Sequence, residues 1–148
     1  MSHQLITFQI GEQCLGVDIM AVREIRAWAP ATPLPNAAAC MKGVVNLRGV
    51  VLPVFDLRER LGWGGTDPSG RHVIIVVQTG GGNGQQIGLI VDAVNDIVSL
   101  AAADVQPVPD SSRHDDGLLS GLAHHGDRMV LIMSLDALDL SIRMPEAA

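Results

Sequence analysis

The sequence predicts a mostly β fold, an antiparallel barrel or a pair of barrels carrying short helices. Turn-forming residues recur between short apolar runs along the whole chain, and no strand–helix–strand alternation of the kind that builds a parallel sheet interrupts them. The 148 residues are 47% hydrophobic and 18% charged, enough apolar surface for one compact domain spanning residues 1–148 to offset its ordering entropy.

Leu5 to Ile10 reads as a strand, Gly11 to Gln13 as a turn and Cys14 to Ile19 as the return strand of an opening hairpin. Asp18 is suited to cap a short helix over Ile19 to Arg26, in which Ile19, Val22, Ile25 and Arg26 share one side and Glu24 points elsewhere. Pro30, Pro33 and Pro35 then force an extended connector, and Ala37 to Met41 form a helical turn ended by Gly43. Val44 to Leu47 and Val50 to Asp56 are two β runs around an Arg48-Gly49 turn, followed by a short helix over Leu57 to Leu61. A flexible loop covers Gly62 to Gly70.

The second half continues in the same manner. Val73 to Thr79 and Gln86 to Val91 flank the glycine-rich hairpin tip at 80–84. Asp92 to Leu100 stays extended, and a turn over Ala101 to Val105 leads into Pro107-Val108-Pro109 and a polar loop through Asp116. Leu118 to Leu122 and Met129 to Leu135 are strands around a His124-His125-Gly126-Asp127 loop, and Asp136 to Leu140 reads as a terminal helix. No internal sequence repeat is strong enough to establish duplication.

Composition removes several function classes. The formal charge is -6, Lys42 is the only lysine, and aromatics are 3% of the chain. Neither a basic field for phosphate backbones or anionic lipid nor a set of stacking platforms for bases follows from such a composition. No apolar run approaches the roughly 20 residues of a membrane helix, and the first residues carry no export signal, so the expected compartment is the cytoplasm without membrane insertion. Cys14 and Cys40 lack the paired spacing of a metal knuckle and read as free, buried thiols.

A search for chemistry also returns little. In Gly117-Leu118-Leu119-Ser120-Gly121 the serine stands one place too late for a nucleophile elbow. The glycines at 80–84 lack the Lys-Ser/Thr ending that grips phosphates. His114, Asp115, Asp116, His124 and His125 fall in predicted loops with nothing rigid to aim them at a metal. Catalytic, metal and cofactor sites are therefore expected to be absent. The unusual polar feature is Val22-Arg23-Glu24-Ile25-Arg26 together with Asn46-Leu47-Arg48-Gly49, where charges sit inside apolar, turn-forming segments.

Those segments carry a resemblance. Phe8 with Gly16-Val17-Asp18-Ile19, the two segments just named, Val51-Leu52-Pro53-Val54-Phe55-Asp56-Leu57-Arg58, Ile87 to Ile97, Gly121-Leu122 and Gly126-Asp127-Arg128-Met129-Val130-Leu131-Ile132 resemble, in this order and over nearly the whole chain, the CheW-like chemotaxis coupling proteins. The resemblance implies two small five-stranded barrels akin to SH3 barrels that share a hydrophobic core with a groove between them. It also implies a non-enzymatic adaptor without cofactor, whose partners are the regulatory domain of a CheA-type histidine kinase and the cytoplasmic tip of a chemoreceptor helical hairpin. An adaptor of another chemosensory pathway, with surface motility or a second-messenger output, carries the same motifs.

Residue by residue, the resemblance places Glu24 and Arg48 at charged positions of the receptor-facing surface and Val22, Val94 and Ile97 at apolar positions of receptor coupling. Gly43, Gly49 and Gly88 match glycines where bulk is poorly tolerated. An apolar strip flanked by charges suits an amphipathic helix, and Glu24 and Arg48 are expected to meet on one surface. After Pro107-Val108-Pro109 some relatives carry an acidic residue and then an aromatic at a second, ring-forming kinase contact. This chain has Asp110-Ser111 there, which leaves that contact without an aromatic anchor.

Overall fold

The computed structural model describes residues 2–28, 32, 41–61, 71–78, 86–107 and 119–135. The expected terminal helix over Asp136 to Leu140, the hairpin tip at 80–84, the loop from Gly62 to Gly70, Cys40 and the Asp110-Ser111 pair lie outside them. Ten strands follow one another: β1 (Ser2–Ile10), β2 (Gln13–Asp18), β3 (Val22–Ala27), β4 (Met41–Leu47), β5 (Val50–Asp56), β6 (Val73–Gln78), β7 (Gln86–Val91), β8 (Ala93–Ala101), β9 (Leu119–His125) and β10 (Arg128–Met133). One four-residue helix, α1 (Leu57–Arg60), follows β5, capped by Asp56, whose Oδ1 accepts from the Arg58 amide at 3.1 Å.

The strands form two sheets of five, in the orders β8-β1-β2-β10-β9 and β3-β6-β7-β5-β4. The expectation of antiparallel pairing holds except at one seam in each sheet, where β2 meets β10 and β5 meets β7 in parallel. These seams join segments far apart in the chain, so no local turn signal announces them. The two sheets repeat one topology. The second uses consecutive strands β3 to β7, whereas the first takes β8-β9-β10 from one end of the described chain and β1-β2 from the other.

Register makes the correspondence residue-specific. In the parallel seams Gly88 faces Val54 and Gly16 faces Ile132, each partner four residues beyond the strand start that follows a two-residue turn. Gly88 also faces Val76 and Gly16 faces Thr7, so Val76 matches Thr7 and Val77 matches Phe8. Val77 pairs with Val22, and Phe8 with Val94. A register shift follows in both β3 and β8, after which Ile25 faces Ile75 and Ile97 faces Ile6.

The uninterrupted apolar run of β6 follows from this arrangement. Alternate side chains enter different cores: Ile75 and Val77 join the large cluster shared between the sheets, with Phe8, Leu15 and Val17 from the first sheet, Phe55 and Leu89 from the second and Leu57 from α1. Ile74 and Val76 join a separate cluster with Leu52, Val54 and Ile90 inside the second sheet. Leu5, Val98, Leu100 and Ala123 form its counterpart in the first. Each sheet also curls until its outer strands are linked through the segment that follows one of them: Thr32 bridges to Val44 on β4, and Gln106 to Leu122 on β9.

The short helix expected over Ile19 to Arg26 is replaced. Asp18 does cap, its Oδ1 accepting from the Met20 amide at 2.9 Å, but only a 3-10 turn over Ile19–Ala21 follows before the chain extends into β3. Pairing with β6 satisfies backbone groups that an isolated helix this short would leave exposed to competition from water. Consequently Val22, Glu24 and Arg26 are half-buried, while Arg23, Ile25 and Ala27 are exposed. His124 and His125 likewise belong to β9 rather than to a loop.

Asp92 fastens the point where the chain leaves the second sheet for the first. Its amide donates to the Gln9 carbonyl at 2.9 Å, its Oδ2 accepts from the Gly11 amide at 2.6 Å, and its Oδ1 lies 3.4 Å from His72 Nε2.

Candidate functional site

The Arg48-Gly49 turn connects β4 to β5 with positive φ at both central residues, +51° and +86°. That is the twist-compatible geometry of a two-residue hairpin, and only the second position carries a glycine. Asn46 Oδ1 accepts from the Gly49 amide at 2.9 Å and braces the turn. The bracing aims Arg48 across the sheet toward β3, where its Nη2 donates to Glu24 Oε1 at 2.5 Å. Arg26 Nη1 lies 3.4 Å from the other Glu24 oxygen, so both oxygens are engaged.

The Arg48 side chain is 75% exposed and that of Glu24 25% exposed, a pair on the surface that contributes about 0–1 kcal/mol to stability. Its value therefore lies in what it presents. Val22 is half-buried against the shared core, whereas Met20, Ile25, Val50 and Val51 expose apolar side chains nearby in the chain.

The other sequence-predicted residues divide. Val94 is half-buried against the shared core, in the position that matches Val22, and Ile97 is exposed in the position that matches Ile25. Two of the three predicted apolar positions, Val22 and Val94, thus fall at corresponding places in the two sheets, and Glu24 and Arg48 come into direct contact. The three glycines differ in what they require. Gly49 has open space around it but a left-handed φ, and Gly43 is buried in β4 beside a register shift, with φ +141°. Gly88 has no room: a Cβ there would stand 2.8 Å from Ile74 Cγ2.

Sequence reasoning missed a second polar constellation. Asp96 on β8 occupies the place that Glu24 occupies on β3, each directly before the matched isoleucine. Thr7 is fully buried, with Oγ1 2.5 Å from Asp96 Oδ1 and accepting from the Asp96 amide at 3.2 Å. Arg128 Nη2 donates to Asp96 Oδ2 at 3.0 Å. The Thr7 hydroxyl foremost, and after it Arg128 and His125, hold the Asp96 carboxyl below its ordinary value against an opposing desolvation. The signal was present as an echo, Val22-Arg23-Glu24-Ile25 against Val94-Asn95-Asp96-Ile97.

Comparison with known proteins follows the same lines. The family model for the CheW-like domain matches residues 4–141. The chain is 46% identical over 136 residues to "Chemotaxis protein CheW" of Rhizobium meliloti (strain 1021), covering 91% of this chain and 86% of that protein. It is 32% identical over 139 residues to "Chemotaxis protein CheW" of Klebsiella aerogenes, covering 93% and 82%. Among solved structures, the scaffolding protein TtCheW from Thermoanaerobacter tengcongensis superposes with a TM-score of 0.84 at 33% identity, covering 93% of this chain and 92% of that one.

Proposed function

The chain belongs to the CheW-like family of chemotaxis adaptors, and from that premise we propose that it couples chemoreceptors to a CheA-type histidine kinase as one CheW-like unit, without catalysis of its own. The kinase regulatory domain and the receptor's cytoplasmic helical-hairpin tip are its partners, and its place is the cytoplasm, at receptor arrays on the inner face of the membrane. No helix among the described residues is long and apolar enough to cross a membrane.

The observation that carries the receptor assignment is the exposed Glu24–Arg48 pair set among exposed apolar side chains. An amphipathic helix docks its apolar stripe on such residues, and the fixed charges select its orientation and register. Val22, Glu24, Arg48, Val94 and Ile97 form the receptor-coupling surface in this reading, and Gly43, Gly49 and Gly88 preserve the backbone beneath it. Asp110 and Ser111 stand at a second kinase contact weakened by the lack of an aromatic.

The test is binding of the full chain, as wild type and Arg48→Ala, to the kinase regulatory domain and separately to a receptor signalling-tip fragment from the same genome. Wild-type binding to both, with only the receptor interaction weakened by the substitution, is the expected result. Absence of wild-type binding to either partner overturns the assignment.

A further inference from the structure

The two sheets are joined without a shared strand. Among the described residues every β pairing lies within one sheet, and the chain passes between them twice, from β2 to β3 through Ile19–Ala21 and from β7 to β8 through Asp92 alone. The second sheet is complete between those two links, and it keeps a cluster of its own, Leu52, Val54, Ile74, Val76 and Ile90, beside the shared one. The first sheet is complete only when the β1–β2 hairpin sits between β8 and β10. Among the described strands β1 is the partner of β8, and without β2 the strand β10 would pair with β9 alone.

We infer that the β1–β2 hairpin is a detachable strap: the protein has a rare open state in which the hairpin and β8 come apart while β3 to β7 stay folded. Three observations carry this. The link that would act as hinge is unburied, since no residue of Ile19–Ala21 is buried and Met20 is 77% exposed, so its backbone can turn without breaking a core. The contacts that close the first sheet are distant in sequence, Thr7 and Asp96 standing 89 residues apart, and the folded second sheet is what holds the two ends of that span together. The first sheet therefore cannot outlast the second, whereas the second, whose strands follow one another, can outlast the first. The fastening is also confined to a few groups. Asp92 holds the β1–β2 turn through the Gly11 amide and the Gln9 carbonyl, the Thr7 hydroxyl holds Asp96, and β8 buries only Val98 and Leu100.

Opening uncovers Phe8, Ile10, Leu15 and Val17 on the hairpin and Phe55, Ile75 and Leu89 opposite them, so the open state is sparsely populated and is read through exchange. It takes Val94 and Ile97 on β8 out of position, while Glu24 and Arg48, both borne by the second sheet, keep their contact. One half of the chain can thus be dismantled while the other stands. The strap depends on topology and packing and not on which partner the protein binds.

The experiment is hydrogen exchange of the full chain across low urea, together with iodoacetamide labelling of Cys14 read by peptide mass spectrometry, since this buried free cysteine lies on β2 and reports the hairpin directly. Wild type is compared with Leu52→Ala and, as a milder change in the same cluster, Ile90→Val. Both substitutions weaken the second sheet equally in the closed and the open state. The β6 and β7 amides, exposed only by global unfolding, are therefore expected to exchange faster, by roughly fivefold for Ile90→Val and more for Leu52→Ala. The β1, β2 and β8 amides and Cys14 are expected to stay within about twofold of wild type and to share one urea dependence, roughly half that of global unfolding. Acceleration of Cys14 and the β1 and β2 amides in step with β6 and β7 overturns the strap, because the two sheets then open together. Exchange of the hairpin with no urea dependence overturns it as well, because such exchange marks local fraying.

Discussion

Replacing Gly88 by alanine tests the packing of the second sheet at one atom. The added Cβ would sit 2.8 Å from Ile74 Cγ2 and 3.4 Å from both Leu52 Cδ2 and Val54 Cγ2. All three belong to fully buried residues of the cluster inside that sheet, and the nearest contact is a methyl on a β-branched carbon, whose χ1 is stiff. Overpacking of this kind costs about 1–3 kcal/mol, against about 0.5–1 kcal/mol recovered when alanine replaces glycine inside a strand. A net loss of about 1–2 kcal/mol follows, which at roughly 4 °C per kcal/mol for a chain of this length lowers Tm by about 4–8 °C.

Gly16 supplies the control, because register makes it the counterpart of Gly88. Its Cβ would meet Leu5 Cδ1 and Val130 Cγ1 at 3.1 Å, contacts that a few tenths of an ångström relieve, so Gly16→Ala is expected to stay within about 1 kcal/mol of wild type. Urea and thermal unfolding of both variants measure the contrast. Moving the branch away with Ile74→Leu is expected to be less harmful in the Gly88→Ala background than in wild type. Equal stability of the two glycine variants, or no coupling between positions 74 and 88, would refute the steric account.

Further expectations follow from the polar sites. Arg48→Gly and Arg48→Ala both remove the pair with Glu24, but the φ of +51° suits glycine; the glycine variant is expected to be the more stable by about 1 kcal/mol in urea unfolding, with the same loss of receptor-tip binding. Because the Thr7 hydroxyl and Arg128 depress the folded pKa of Asp96, its contribution is present above the unfolded aspartate value of about 3.9 and disappears as pH falls through the folded one. The urea midpoints of wild type and Asp96→Asn should therefore differ at pH 7 and converge as pH falls below about 4. Asp92→Ala removes the acceptor of the Gly11 amide, so hydrogen exchange at Gly11 should quicken while the β6 and β7 amides keep their protection.

Most hairpins were legible because local chemistry marks them. Gly11 and Gly126 adopt the left-handed φ that their turns need, and the runs around Arg48-Gly49 pair across two residues. β3 was misread because its pattern is inverted: Ile25 faces solvent and Glu24 is half-buried, so hydrophobicity fails to alternate as a supporting strand would. The acid is held against Arg26 and Arg48 and the isoleucine stands outside, the reverse of the pattern that a strand covering a core presents. The parallel seams stayed hidden because they join residues such as Cys14 and Val130, and no local pattern encodes a partner that far along the chain. Glu24 and Arg48 entered through family resemblance, whereas Asp96 and Arg128 required the register.

The repeated topology explains why matched residues take unequal roles. The second sheet is contiguous, so its acid–arginine pair is completed by a turn only 24 residues from Glu24. The first sheet is assembled from both ends of the described chain, and its acid, 89 residues from Thr7, is fixed only when β8 lies on β1. Thr7 is then a buried hydroxyl satisfied solely by the assembled sheet, where an unpaired partner would carry a desolvation penalty of about 1–3 kcal/mol. Val76 carries no such penalty at the matching place, and Glu24 beside it is engaged by Arg26 and Arg48 instead. One sheet thus holds its acid through a buried hydroxyl and one arginine, and the other through two arginines, two different ways of fixing a carboxylate on matched strands.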